Sequence, residues 1–240
     1  MSRISLLRTL IYSLAGLLIL APAYGFNVNK SVRIDADSTV DGASSVNGSI
    51  SVGDNAIVNG TLDTVNGSIR VGDNVHLEDA DTVNGAVRLG DGVIADDISS
   101  VNGTIEIGAG GIISGEISVV NGRIYLGTGS AVAGDVSNVN GEIQVDGSEI
   151  GGNLSTVTGD VLLMENSVVR GDLIIEEPKG WNWGRDRRKP KIVIGPGSSV
   201  VGVIRAEQEI ELFISDSAEV GGVSGEASME QAIRFSGTHP

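Results

Sequence analysis

Cysteine is absent from the 240-residue chain. A disulfide, a thiol-linked lipid anchor and a cysteine nucleophile are therefore all excluded, and stability outside the cytoplasm has to come from packing alone. Histidine is nearly absent: His76 and His239 are the only two, and neither stands in a partner pattern. A nucleophile–base pair or a zinc site of the usual kind has little to draw on, so the expectation is a non-enzymatic chain without cofactor or metal. Aromatic residues make up 3% of the sequence, fewer than a conventional globular core of this length uses. Positive charge is scarce too. Sixteen Lys and Arg against 31 Asp and Glu leave a formal net charge of -15, which argues against nucleic acid as a partner and against general adsorption to anionic membranes.

What is present begins with an export-like leader. Arg3 and Arg8 form a positive start, Leu10 to Leu20 an apolar run, and Ala23-Tyr24-Gly25 supplies small residues where a signal peptidase reads. The run falls short of the roughly 20 residues that span a bilayer comfortably. The expectation is a signal peptide over residues 1–25, cleaved after Gly25, and a mature chain in the periplasm or at the cell surface. An uncleaved anchor is the alternative.

The 35 glycines do not follow a collagen-like spacing. They belong to a recurring phrase, Val-Asn-Gly followed by an apolar-x-apolar pair, at Val46, Val65, Val83, Val101, Val120 and Val139. Degenerate copies start at Val28 and Val157, and successive spacings from Val28 are 18, 19, 18, 18, 19, 19 and 18 residues. Pairs such as Ile105-Glu106-Ile107 and Ile124-Tyr125-Leu126 alternate as strands do, and each ends in turn chemistry such as Gly-Asp-Asn or Gly-Thr-Gly. Helices would not tolerate this glycine density. A period near 18 with about three short strands predicts an all-β, single-stranded, three-faced β-helix of about ten coils over residues 26–224, in which stacked coils pair backbone to backbone and aliphatic columns fill a narrow interior.

Stacking places Asn47, Asn66, Asn84, Asn102, Asn121 and Asn140 one above another, where amides can satisfy each other along the axis. Asn-Gly-Ser/Thr at Asn47, Asn59, Asn66 and Asn102 also matches a glycosylation acceptor, but the repeat itself generates that pattern, so the ladder is the preferred reading. Asp54, Asp73 and Asp91 fall in one turn column, either as a solvated acidic edge or as oxygen ligands for calcium. No nonapeptide calcium repeat accompanies them, and the edge is preferred. A hexapeptide acyltransferase register is not kept, since Thr64, Ala95 and Gly151 interrupt it.

The repeat breaks after Leu173-Ile174-Ile175 and resumes at Ile192-Val193-Ile194. With Ile175 placed in the Val157 column, about 13 residues are inserted within 176–190. This loop holds both tryptophans, and six of the 14 Lys and Arg beyond residue 25 lie between Lys179 and Lys191. Trp181 and Trp183, with Arg185, Arg187, Arg188 and Lys189, are therefore the candidate partner-binding residues, suited to an envelope glycan, a lipid head group or a protein. The plainer reading is an excursion lying against the solenoid wall. Residues 225–240 lose the repeat. Met229, Ala232 and Ile233 are spaced as one helical turn, either a cap over the last coil or a disordered tail.

Gly141-Glu142-Ile143-Gln144-Val145-Asp146-Gly147 and Ser199-Val200-Val201-Gly202-Val203-Ile204 resemble the bactofilins, a family of polymer-forming β-helical cytoskeletal proteins. The resemblance implies a right-handed three-faced β-helix that polymerises end to end through apolar terminal coils without nucleotide. Bactofilins are typically cytoplasmic and do not use the Val-Asn-Gly phrase. The repeats are also similar to adhesin-like β-solenoids of exported bacterial proteins. Two functions follow as expectations: a structural envelope scaffold whose main partner is itself, through its coil ends, or a rigid rod presenting loop 176–191 as a binding module.

Overall fold

The structure, a computed structural model, describes residues 28–178 and 188–240. The leader-like segment lies outside the described residues, as do Trp181, Trp183, Arg185 and Arg187. The described chain is a β-solenoid of about ten coils, with three strand positions per coil and parallel pairing throughout. The first face carries eleven strands, from Val32–Ile34 to Ile233–Phe235, and the third carries ten, from Ala43–Ser45 to Val223–Gly225. The second is the shortest. Its strands are two residues long, in a stack of two (Thr39–Val40, Ile57–Val58) and a stack of seven (Ile94–Ala95 to Glu219–Val220), joined by single bridges from His76 to Ile57 and Ile94.

Alternation decides what lies inside. On the first face Ile50, Ile69, Val87, Ile105, Ile124, Ile143 and Val161 are in register from coil to coil and fully buried. The residue after each, from Ser51 through Arg70 and Arg88 to Gln144, faces out. Parallel columns run along the other faces, for example Leu62, Ala80, Ile98, Ile117, Val136 and Leu154. Each aliphatic side chain taken from water contributes about 1.5 to 3 kcal/mol, but only against the coils above and below it. One coil alone has no interior, so the stack is the folding unit.

The corners explain the Val-Asn-Gly phrase. In most copies the residue before it is a buried hydroxyl that closes the corner, as where Thr64 Oγ1 donates to the Gly48 carbonyl at 2.8 Å and Thr82 Oγ1 to that of Gly67 at 3.0 Å, while Val119 and Asn138 take that place in two later copies. The asparagines form a continuous amide row. Each Nδ2 donates to Oδ1 of the asparagine one coil earlier, from Asn47 onto Asn29 at 2.8 Å to Asn140 onto Asn121 at 2.8 Å, and the Thr158 hydroxyl ends the row on Asn140. The glycine is demanded by space. A Cβ on Gly103 would lie 1.7 Å from the Gly85 carbonyl oxygen, and one on Gly122 1.8 Å from that of Gly103.

The row allows a direct test. Asn102 makes one amide bond to Asn84 at 3.0 Å and receives one from Asn121 at 3.1 Å. Both are exposed, so Asn102→Ala is expected to lower stability by about 1 to 2 kcal/mol in a urea titration. Asn102→Asp should cost more at neutral pH, because it sets a charged carboxylate oxygen against Asn84 Oδ1, which alanine would leave open to water.

The tail differs from the sequence expectation. Met229–Gln231 is a single 3-10 turn, but Ile233–Phe235 is a strand that pairs with Phe213, Ile214 and Ser215 as a last rung of the first face. Ala232 and Ile233 therefore do not continue a helix. No helix among the described residues is long and apolar enough to cross a membrane.

Candidate functional site

The insertion leaves the third face after Leu173–Ile175 and rejoins the first at Lys191–Ile194. The register corrects the sequence alignment by one residue: Ile175 pairs with Thr156, not Val157, and Ile192 pairs with Val161. Val161 follows Thr156 by five residues and Ile192 follows Ile175 by seventeen, so the insertion is twelve residues long. The slip arose because Val157 belongs to the corner phrase and is apolar, like the strand residue beside it.

Both ends of the insertion are tied down. At the departing end, Gln208 Nε2 donates to the Glu176 carbonyl at 2.8 Å and also to that of Val157, while the Glu177 N–H donates to Glu207 Oε2 at 3.2 Å. At the returning end, Asp160 accepts the Arg188 guanidinium on one oxygen and the Lys191 N–H at 2.8 Å on the other. Lys189 Nζ lies 2.8 Å from Glu209 Oε2. These pairings hold the Arg188 and Lys189 side chains above their ordinary pKa values and Glu209 below its own, through the shared hydrogen bond first and the facing charge second. Arg188 and Lys189 thus act as anchors on the solenoid wall. The other four partner-binding candidates lie outside the described residues.

The two anchors should differ in weight. The Asp160 side chain is 16% exposed and holds two charge-assisted bonds, whereas Glu209 is 71% exposed. Asp160→Ala is expected to lower stability by about 2 kcal/mol. Glu209→Ala should leave the thermal melt close to wild type, because solvent screens its pair with Lys189.

The wall beside the insertion changes character. Earlier coils of the first face show Arg70, Arg88, Glu106, Tyr125 and Gln144 outward, but the later positions of that column are Leu162, Val193 and Phe213. The Lys191 ammonium sits 4.9 Å above the Phe213 ring, a cation–π contact.

The turn-column aspartates serve the backbone. Asp54 accepts the Asp73 N–H at 3.0 Å, Asp73 that of Asp91 at 2.9 Å, and Asp91 that of Ala109 at 2.7 Å. Among the described residues no group of three His, Asp or Glu side chains is placed to hold a metal ion. A second acidic row escaped the sequence reading. On the outer side of the third face Asp63 and Asp81 occupy the column that Ser99, Ser118 and Ser137 continue. Burial raises the pKa of Asp63, Asp79 and Asp81, that of Asp81 to about 7, and the neighbouring carboxylates add to it. The available signal was an aspartate in two copies where the copies on either side, Ser44 and Ser99 to Ser155, place serine.

The ends of the stack are the remaining candidate. Among the described residues, Val32–Ile34, Thr39–Val40 and Ala43–Ser45 pair on one side only, and at the far end so do Glu219–Val220 and Val223–Gly225. Aliphatic residues of these terminal strands, Val32, Val40, Val220 and Val223, are only partly buried against the core.

No protein-family model, curated protein or solved structure matches the chain.

Proposed function

We propose that the protein is an exported, non-catalytic structural rod of the bacterial envelope that associates end to end through its terminal coils, as the resemblance to bactofilins implies. The observation supporting this reading is the pair of one-sided strand edges at the two ends, each flanked by half-buried aliphatic side chains. Such edges carry unpaired N–H and C=O groups in the parallel register that another coil would match, and strand addition satisfies them. Negative-stain electron microscopy of residues 26–240, across a concentration and salt series, tests it. Filaments of constant width, near that of one solenoid, are the expected result. Uniform short rods at every concentration would remove the self-assembly reading.

A second reading, a rod that presents the insertion to a glycan, lipid head group or protein, is favoured by the anchoring of both insertion ends, which fixes where the loop leaves the wall. Deleting 179–187 should spare folding under either reading, and only the second expects a binding activity to disappear with it.

A further inference from the structure

The second face carries an exposed apolar stripe that the end-to-end reading does not use. Ile57, Ile94 and Ile112 occupy one outward column, with His76 bridging between Ile57 and Ile94. They are 44%, 37% and 50% exposed, in a protein whose other aliphatic columns are almost wholly buried. Ala131 continues the column. From Ile57 to Ile112 the stripe crosses three coil spacings, about 14 Å at about 4.8 Å each.

The stripe is bordered by exposed carboxylates on both sides. Asp54, Asp73 and Asp91 precede it at one corner, and Glu78 and Asp96 follow it at the other. None of these five is in an ion pair among the described residues, although the carboxylates elsewhere on the walls often are, as in Arg88–Glu106, Arg123–Glu142 and Arg170–Glu149. An apolar strip between two rows of uncompensated negative charge is complementary to one kind of surface: aliphatic side chains flanked by Lys or Arg. A second copy docking through the same face would set carboxylate rows against each other, and an anionic bilayer or nucleic acid would meet the same repulsion.

We propose that this outer surface of the second face, centred on Ile94, docks a cationic, aliphatic-containing polypeptide segment of another protein. The apolar column supplies the contact area and the two acidic borders supply orientation and selection by charge. The proposal is independent of end-to-end association, because it uses a side of the rod and not its ends.

Fluorescence anisotropy with two labelled synthetic decapeptides, one alternating Lys and Leu and one alternating Lys and Ser, tests it on the full chain. The Lys-Leu peptide is expected to bind at least tenfold more tightly, with affinity falling as salt rises. Ile94→Ser with Ile112→Ser should abolish that preference. Asp73→Asn with Glu78→Gln and Asp96→Asn should weaken both peptides at least tenfold while leaving the melting curve close to wild type. Equal binding of the two peptides, or unchanged binding by either variant, would overturn the proposal. So would sedimentation showing a dimer that the isoleucine substitutions dissolve, which would assign the face to a second copy. Co-pelleting with phosphatidylglycerol vesicles that those substitutions abolish would overturn it in favour of a membrane.

Discussion

Gly103→Ala is expected to destabilise the protein by at least about 3 kcal/mol and to make unfolding less cooperative. The added methyl would sit 1.7 Å from the Gly85 carbonyl oxygen and 2.5 Å from its carbon, and both are backbone atoms. Backbone in a stacked coil cannot step aside without opening the coil spacing, and that spacing is set by the parallel hydrogen bonds on all three faces. The amide row would open at the same point, since Asn102 is the residue before Gly103. Gly110→Ala is the control, because it separates space from conformation. Gly110 has a φ of 66° and nothing within 4 Å of where its Cβ would be. Its substitution carries only the left-handed penalty, about 1 to 2 kcal/mol, and Asn55 and Asn74 already tolerate that conformation in the same turn column. Urea midpoints of the two variants check the ordering, and a smaller loss for Gly103→Ala than for Gly110→Ala would show that the coils can separate.

The second large effect depends on pH. Asp81 has a folded-state pKa pushed up from 3.8 to about 7, chiefly by burial and further by Asp63, Asp79 and Asp97, against a lowering bond from the Ser99 hydroxyl. With the folded value above the unfolded one, the native chain holds more protons between about pH 4 and 7. Stability from this group is therefore highest below about pH 4, falls across that window, and is constant above it. A tenfold change in proton affinity is worth about 1.4 kcal/mol, so the whole rise bounds the loss at about 4 kcal/mol. Asp81→Asn removes the ionisation while keeping an oxygen for Ser99. The variant should match wild type near pH 3.5 and exceed it by about 2 to 4 kcal/mol at pH 8. Denaturation midpoints at about pH 3.5, 6 and 8 measure the difference, and parallel profiles for the two proteins would contradict the assignment. Asp63→Asn is expected to act in the same direction and more weakly, since Asp79 is the one neighbouring carboxylate that raises Asp63, where Asp63, Asp79 and Asp97 all raise Asp81.

Much of the architecture is legible one coil at a time. The 18-to-19-residue period, the apolar-x-apolar pairs and the turn residues after them are local patterns, and they identify strands, corners and the inward columns from Ile50 to Leu154. The asparagine positions follow from the same period, because residues one repeat apart stack wherever the repeat is kept. The interruption at 176 is visible for the complementary reason, that the period fails there. The Ile57, Ile94 and Ile112 column was equally present in the repeat but reads as core until burial is known, since a two-residue strand leaves too little alternation to tell in from out.

Sequence alone thus determined the solenoid, its three faces and the place of the insertion, because a tandem repeat encodes its own stacking in one dimension. Only the tertiary structure decided matters that depend on atoms one coil apart being brought within a few ångströms. Those are the one-residue register of Ile175, the carbonyl that makes Gly103 obligatory, the burial that raises Asp81, and the carboxylates of Asp160 and Glu209 that take Arg188 and Lys189 as anchors. In a stack of parallel coils, each of these is fixed by the coil above or below.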